Sequence, residues 1–240
     1  MTGKPHRHFH DELNDMKVKL LTMSGEAEAA LGLAFEAYLE RDVEKAKRVL
    51  KGDRTIDAME TDIEERCINL LALQQPMAKD LRMLTAALKI SNDLERVGDH
   101  AVNIADSVIR LTEFRPVTPD PELIEMARLA REMLSDALEA FIRGDTMAAR
   151  EICRRDDRVD ALHDSVFRIM LTHMMEDPQT IGAGVEVFLV SRNLERVADL
   201  ATNIAEDVVF LVEGKSIKHH AEDRGEALTP AEGSSPQDQP

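Results

Sequence analysis

Two stretches one hundred residues apart are nearly the same sentence: Ser91 to Asp106 (SNDLERVGDHAVNIAD) and Ser191 to Glu206 (SRNLERVADLATNIAE). A chain that repeats itself this closely builds one unit twice, so what surrounds the first copy has to be matched around the second. The echo extends upstream. Ala34 to Asp42 (AFEAYLERD) pairs with Ala137 to Asp145 (ALEAFIRGD), and at the same offset Asp53 to Asp57 (DRTID) meets Asp156 to Asp160 (DDRVD). Each half thus carries two acidic pairs at a spacing of four, Asp53/Asp57 with Glu95/Asp99, and Asp156/Asp160 with Glu195/Asp199. On a helix that spacing stacks two carboxylates on one face, one turn apart.

Helix is what the pattern demands. Glycine and proline are sparse and gather at a few breakpoints, and no segment alternates like a strand. Six helices are expected, from about Phe9 to Glu40, Asp42 to Leu73, Met77 to Leu111, Pro121 to Ile142, Asp145 to Met175 and Pro178 to Val212; the proline-rich run from Phe114 divides the halves. In the third helix Ala87, Ile90, Leu94, Val97, Ala101, Ile104, Val108 and Leu111 follow spacings of three and four, and Val187, Val190, Leu194, Val197, Ala201, Ile204, Val208 and Leu211 do so in the sixth. These are packing seams. Short connections make neighbouring helices antiparallel, so the expected fold is all-α, two tandem three-helix bundles over residues 9–114 and 119–213. Residues 1–8 are expected to be flexible, and residues 214–240, rich in Pro, Gly, Ser and Gln toward the end, disordered.

Composition narrows the function. A net charge of −16 argues against nucleic acid or an anionic membrane surface as a direct partner, and 3% aromatic residues without tryptophan leave no stacking platform. The start lacks an apolar signal core, and no run approaches the roughly 20 apolar residues of a membrane span, so a soluble, unexported protein is expected. Cys67 and Cys153 occupy inequivalent places and form no CxxC, which fits reduced core thiols.

The acidic pairs lie off the seams, so the core does not require them. In a chain one-fifth acidic, on the order of nine acidic pairs at this spacing arise by chance, and any single one reads as a solvated face. Their heights carry more weight. Asp57 and Glu95 lie nineteen residues either side of Pro76, and Asp53 and Asp99 twenty-three; the second set is symmetric about a midpoint between Asp177 and Pro178. An antiparallel hairpin therefore brings four carboxylates to one level in each half, roughly 26 to 35 Å from its turn at the helical rise. Crowded carboxylates repel. Arg54, Arg96, Arg158 and Arg196 could neutralise them as salt bridges, or a bound cation could. All-oxygen ligation suits Mg²⁺, Mn²⁺, Ca²⁺ or Fe³⁺, and a nearby imidazole widens the choice to Zn²⁺ or Fe²⁺.

Other residues are weaker leads. His100 has Leu200 as its twin and His163 has Glu60, so neither belongs to the repeated pattern; both could be ligands or surface residues. Asn103 and Asn203, one turn further on, could orient ligands or water. His6, His8 and His10 sit near the chain start, and Met170, Met174 and Met175 read as core filler or an adaptable surface. A ferritin-like oxidase wants paired Glu-x-x-His motifs, whereas only Asp160-Ala-Leu-His163 comes near, and there is no phosphate loop, GxSxG elbow or Cys/His dyad. No enzyme is expected.

The residues from Leu94 to Ala105 (LERVGDHAVNIA) and Leu194 to Ala205 (LERVADLATNIA), with Asp53/Asp57 and Asp156/Asp160 on the preceding helices and the opening from Arg7 to Leu13, resemble the PhoU family over about residues 7 to 212. That resemblance implies two similar three-helix bundles binding multinuclear metal clusters (Fe, Mn, Mg or Zn) on their surfaces. Carried over, the ligands are Asp53, Asp57, Glu95 and Asp99 in one bundle and Asp156, Asp160, Glu195 and Asp199 in the other. It further implies a cytoplasmic homodimer, peripheral at the inner membrane face through protein partners. Such a protein represses the phosphate-starvation response by linking the Pst transporter ATPase subunit to a sensor histidine kinase. The alternatives from the residues alone are a metal-storage or redox protein and a metal-free helical scaffold.

Overall fold

The structure, a computed structural model, describes residues 4–217, with side chains from Phe9 onward. Its elements are α1 (Lys4–Glu40), α2 (Val43–Gln74), α3 (Lys79–Leu111), α4 (Pro121–Arg143), α5 (Thr146–Glu176), a 3₁₀ turn (Pro178–Thr180) and α6 (Ile181–Glu213); no strand occurs among the described residues. The helix starts follow from capping. Asp42 accepts from the Glu44 and Lys45 amides at 2.8 and 3.1 Å, and its repeat counterpart Asp145 from the Met147 and Ala148 amides at 3.0 Å. Asp120 caps α4 with Pro121 in the first turn. Three expected starts move by more than one residue. The Ala78 backbone at φ +47° delays α3 to Lys79, and the 3₁₀ turn after Asp177 delays α6 to Ile181. Helix α1 starts at Lys4, ahead of the expected Phe9. Residues 1–3 and 218–240, and the side chains of His6 and His8, lie outside the described residues.

The repeat shows in the turns as well. Both α1 and α4 end on a left-handed residue, Gly144 in the second half but Arg41, at φ +54°, in the first. A side chain is strained there, and here it is put to use: the Arg41 guanidinium donates to the carbonyls of Leu111 and Phe114, capping the end of α3.

Helices α1, α2 and α3 pack together, as do α4, α5 and α6, giving the two expected bundles. They do not stand apart. Helix α3 also packs along α6, and one continuous core runs through both bundles, so α3 buries sixteen residues and α6 seventeen against six for α2 and five for α5. Every seam residue named above is buried. The α3–α6 pair is antiparallel and tied at both ends: Arg110 Nε donates to Glu186 Oε1 at 2.8 Å, and Lys89 Nζ to Asp207 Oδ1 at 3.0 Å. Near the second tie Arg82 Nε donates to the Leu211 carbonyl at 3.2 Å, capping α6. Cys67 is buried and Cys153 half-buried, both free thiols; burial pushes them up to about 12 and about 11. Met170 is core, Met174 half-buried and Met175 exposed.

The Asp207 side chain is 2% exposed and owes its charge balance to Lys89. Lys89→Met leaves that carboxylate buried without a cation and is expected to cost about 3 kcal/mol, measured by urea unfolding against wild type.

Candidate carboxylate clusters

The expected register holds. Glu60 and Asn92 lie sixteen residues either side of Pro76, and Asn92 Nδ2 donates to Glu60 Oε1 at 3.3 Å. In the second half His163 and Ser191 lie fourteen either side of Asp177, with Nδ1 and Oγ 3.1 Å apart. These contacts fix the heights at which Asp57 faces Glu95, Asp53 faces Asp99, and their counterparts do the same. Closeness in the first half depends on Gly98: a Cβ there would lie 3.1 Å from Ile56 Cδ1 and 3.5 Å from Asp53 Oδ1.

The first cluster is all acid. Burial, reinforced by Asp99, Glu60, Asp57 and Asp53, pushes the Glu95 carboxyl up to about 7, and burial with Asp57 and Asp99 raises Asp53. Among the described residues no ion pair or side-chain hydrogen bond relieves Asp53, Asp57, Glu95 or Asp99. Arg96 instead approaches Asp93 at 3.7 Å. Glu60 is a fifth member that sequence reasoning passed over; its spacing of three from Asp57 and its position opposite Asn92 were the available signals.

The second cluster is partly compensated. Burial, then Asp160, Asp199, Asp157 and Glu195, push Asp156 up to about 7, and its Oδ1 is buried with no hydrogen-bond partner. Asp160 is raised by burial and by Asp199 and Asp157, against a lowering influence from His163; Glu195 is raised by burial and Asp199, against Arg196 and His163. Arg196 reaches Asp199 Oδ2 at 2.8 Å and Glu195 Oε2 at 3.5 Å, while Arg158 turns away to Glu125 at 2.7 Å. So arginine covers the outer carboxylates and leaves Asp156 orphaned. His163 stands where the first half has Glu60. Ser191 Oγ donates to the Phe188 carbonyl at 2.8 Å, so it accepts from His163 Nδ1–H.

Chemically, these are hard oxygen donors held in pairs on rigid helices, with an imidazole beside one set. Among the described residues no three or more His, Cys, Asp or Glu side chains are gathered tightly enough to hold a metal ion as they stand. Unscreened carboxylates repel outward, and a cation would have to draw them in. The orphaned Asp156 Oδ1 and the uncompensated first cluster fit such an ion. Asn103 is exposed and Asn203 half-buried, the latter lining a groove with Asp156 and Asp199. His100 Nδ1 is spent on Asn193 Oδ1 at 2.9 Å, across the α3–α6 contact rather than in a cluster.

The raised carboxyls make a signed prediction. With a folded pKa of about 7 against 4.5 for Glu95 and 3.8 for Asp156, the folded chain holds protons in that window which the unfolded chain has released. Cation-free protein should therefore lose stability as pH rises through the window, with a higher Tm at about pH 5.5 than at about pH 8. The Glu95→Gln/Asp156→Asn double variant should flatten the difference, as read by thermal melts in chelator.

Known proteins share this fold. The PhoU domain model matches residues 20–108 and again 123–208. The phosphate-specific transport system accessory protein PhoU homolog of Aquifex aeolicus is 41% identical over 90% of this chain and 98% of its own length; the Serratia marcescens PhoU of the same description is 36% identical over 92% and 90%. The crystal structure of PhoU from Pseudomonas aeruginosa superposes with a TM-score of 0.83 at 36% identity, covering 86% of this chain and all of that one, and the phosphate transport system regulatory protein PhoU from Streptococcus pneumoniae with 0.81 at 30%, covering 87% and 98%. A duplicated three-helix unit that two separate matches of one domain model cover, with relatives aligned along nearly their whole length, settles the descent: this chain belongs to the PhoU family.

Proposed function

We propose that this chain is a cation-binding, non-catalytic adaptor of phosphate uptake. The observation that carries the cation part is the pair of carboxylate clusters, level-matched, repeated, and raised in pKa by burial and their own repulsion. Asp53, Asp57, Glu95 and Asp99 would hold ions in one bundle and Asp156, Asp160, Glu195 and Asp199 in the other. The first set, all oxygen, suits Mg, Mn or ferric Fe; His163 beside the second adds Zn and ferrous Fe. Bound cations would cancel the repulsion and stiffen the α2–α3 and α5–α6 hairpins, presenting a fixed face to partners.

The phosphate part rests on family membership and on relatives described as phosphate transport accessory proteins. In this reading the chain, acting as a homodimer in the cytoplasm, links the transporter ATPase subunit at the membrane to a sensor histidine kinase and holds the starvation response off when phosphate is plentiful. Among the described residues no helix is long and apolar enough to cross a membrane, which accords with attachment through protein partners. The acidic net charge suits basic docking surfaces, and binding steered by charge weakens with salt. A metal-free scaffold is the second reading, favoured by the Arg196 pairing with Asp199.

Elemental analysis of protein from its native host decides between them. Wild type is expected to carry metal and Glu95→Ala/Asp99→Ala to lose the first cluster's share; unchanged content leaves the scaffold. The regulatory arm is separate: deleting the gene should switch on phosphate-scavenging genes in phosphate-rich medium.

A further inference from the structure

The carboxylate clusters leave one strongly charged feature unused. In a chain of net charge −16, a groove of about 440 Å³ between α3 and α6 gathers Arg96, Arg110, Arg192 and Arg196, with no aspartate or glutamate in its lining. Duplication accounts for Arg96 and Arg196, which are twins, but not for the rest. The twins of Arg110, Arg192 and His100 are Phe210, Asn92 and Leu200, so the matching position at the other end of the α3–α6 crossing lacks two of the four arginines. Arg110 is partly committed, to Glu186 at 2.8 Å and Ser107 at 3.1 Å, and Arg196 to Asp199 at 2.8 Å and Glu195 at 3.5 Å; among the described residues Arg96 has the longer 3.7 Å contact with Asp93 and Arg192 makes no ion pair. His100 and Asn193, joined at 2.9 Å, tie the two walls together.

We infer that this groove binds a small phosphate-type oxyanion, free or carried as a monoester. All four cations are arginines, whose planar forks take oxyanions in two parallel hydrogen bonds, where lysines offer point charges. Like-charged guanidinium groups in one concavity repel, and a multiply charged anion bridging them relieves that cost. An acidic protein segment is the less fitting guest, since docked segments anchor on buried apolar side chains and Leu189 alone supplies an apolar wall. The site is distinct from the carboxylate sets, although Arg96 and Arg196 stand beside both: they also line the groove with Asp156 and Asp199.

The test is calorimetric titration of the full chain at low salt, stripped with chelator so that metal-held phosphate cannot mimic the site. The probes are inorganic phosphate, glycerol phosphate and a decaglutamate peptide. Wild type is expected to bind one phosphate saturably. Arg192→Gln, and separately Arg96→Gln, should weaken binding by about tenfold or more, while Arg128→Gln on α4 should leave it unchanged; circular dichroism melts check that each variant folds. Glycerol phosphate binding more tightly than inorganic phosphate, with the same dependence on Arg192, would support the groove and assign the anion to an ester. Absence of saturable binding by either small anion overturns the inference, as does equal affinity in wild type and Arg192→Gln. If decaglutamate alone binds through Arg192, the occupant is an acidic protein segment and the small-anion assignment is wrong. None of these readings depends on whether the carboxylate clusters hold metal.

Discussion

The antiparallel packing of α3 on α6 is the contact on which the rest of the molecule depends. It merges two bundles into one core, fixes their relative placement, and sets the two carboxylate hairpins on either flank of a shared spine. The ends are tied by ion pairs whose acids, Glu186 and Asp207, are themselves buried. Such ties are costly to break because the remaining charge cannot reach water.

Electrostatics then divides the surface of this spine. Acids face outward to α2 and α5 at matched heights, where nothing in the first half balances them and arginine balances only part of the second. Basic residues gather instead in the seam between the bundles. An acidic protein thereby presents an acidic and a basic face of one spine, with Arg96 and Arg196 lining grooves on both. The two halves are alike in backbone but not in chemistry, since Glu60 is answered by His163, His100 by Leu200 and Arg192 by Asn92.

Much of this was legible beforehand for local reasons. Asp42 and Asp145 cap helices because a short carboxylate reaches free amides within its own turn, and Pro76 and Pro178 mark hairpins because proline does not continue a helix. Antiparallel pairing and a fixed rise per residue gave the register of Asp57 with Glu95, since counting outward from a turn measures height. Less was legible where the partner lies far along the chain. Glu186 and Asp207 read as solvated charges until α3 covers them, and Arg41 as an ordinary surface cation until its guanidinium is seen on the carbonyls of Leu111 and Phe114.

Sequence by itself determined the helices, the duplication and the heights at which acids would meet, because capping, periodicity and helical rise are properties of a segment and its neighbours. Tertiary structure alone decided that the bundles share a core, that Arg196 turns to Asp199 while Arg158 turns to Glu125, and that four arginines face one another across a groove. Those outcomes depend on where one rigid helix lies against another, a matter of packing between surfaces that no local pattern records.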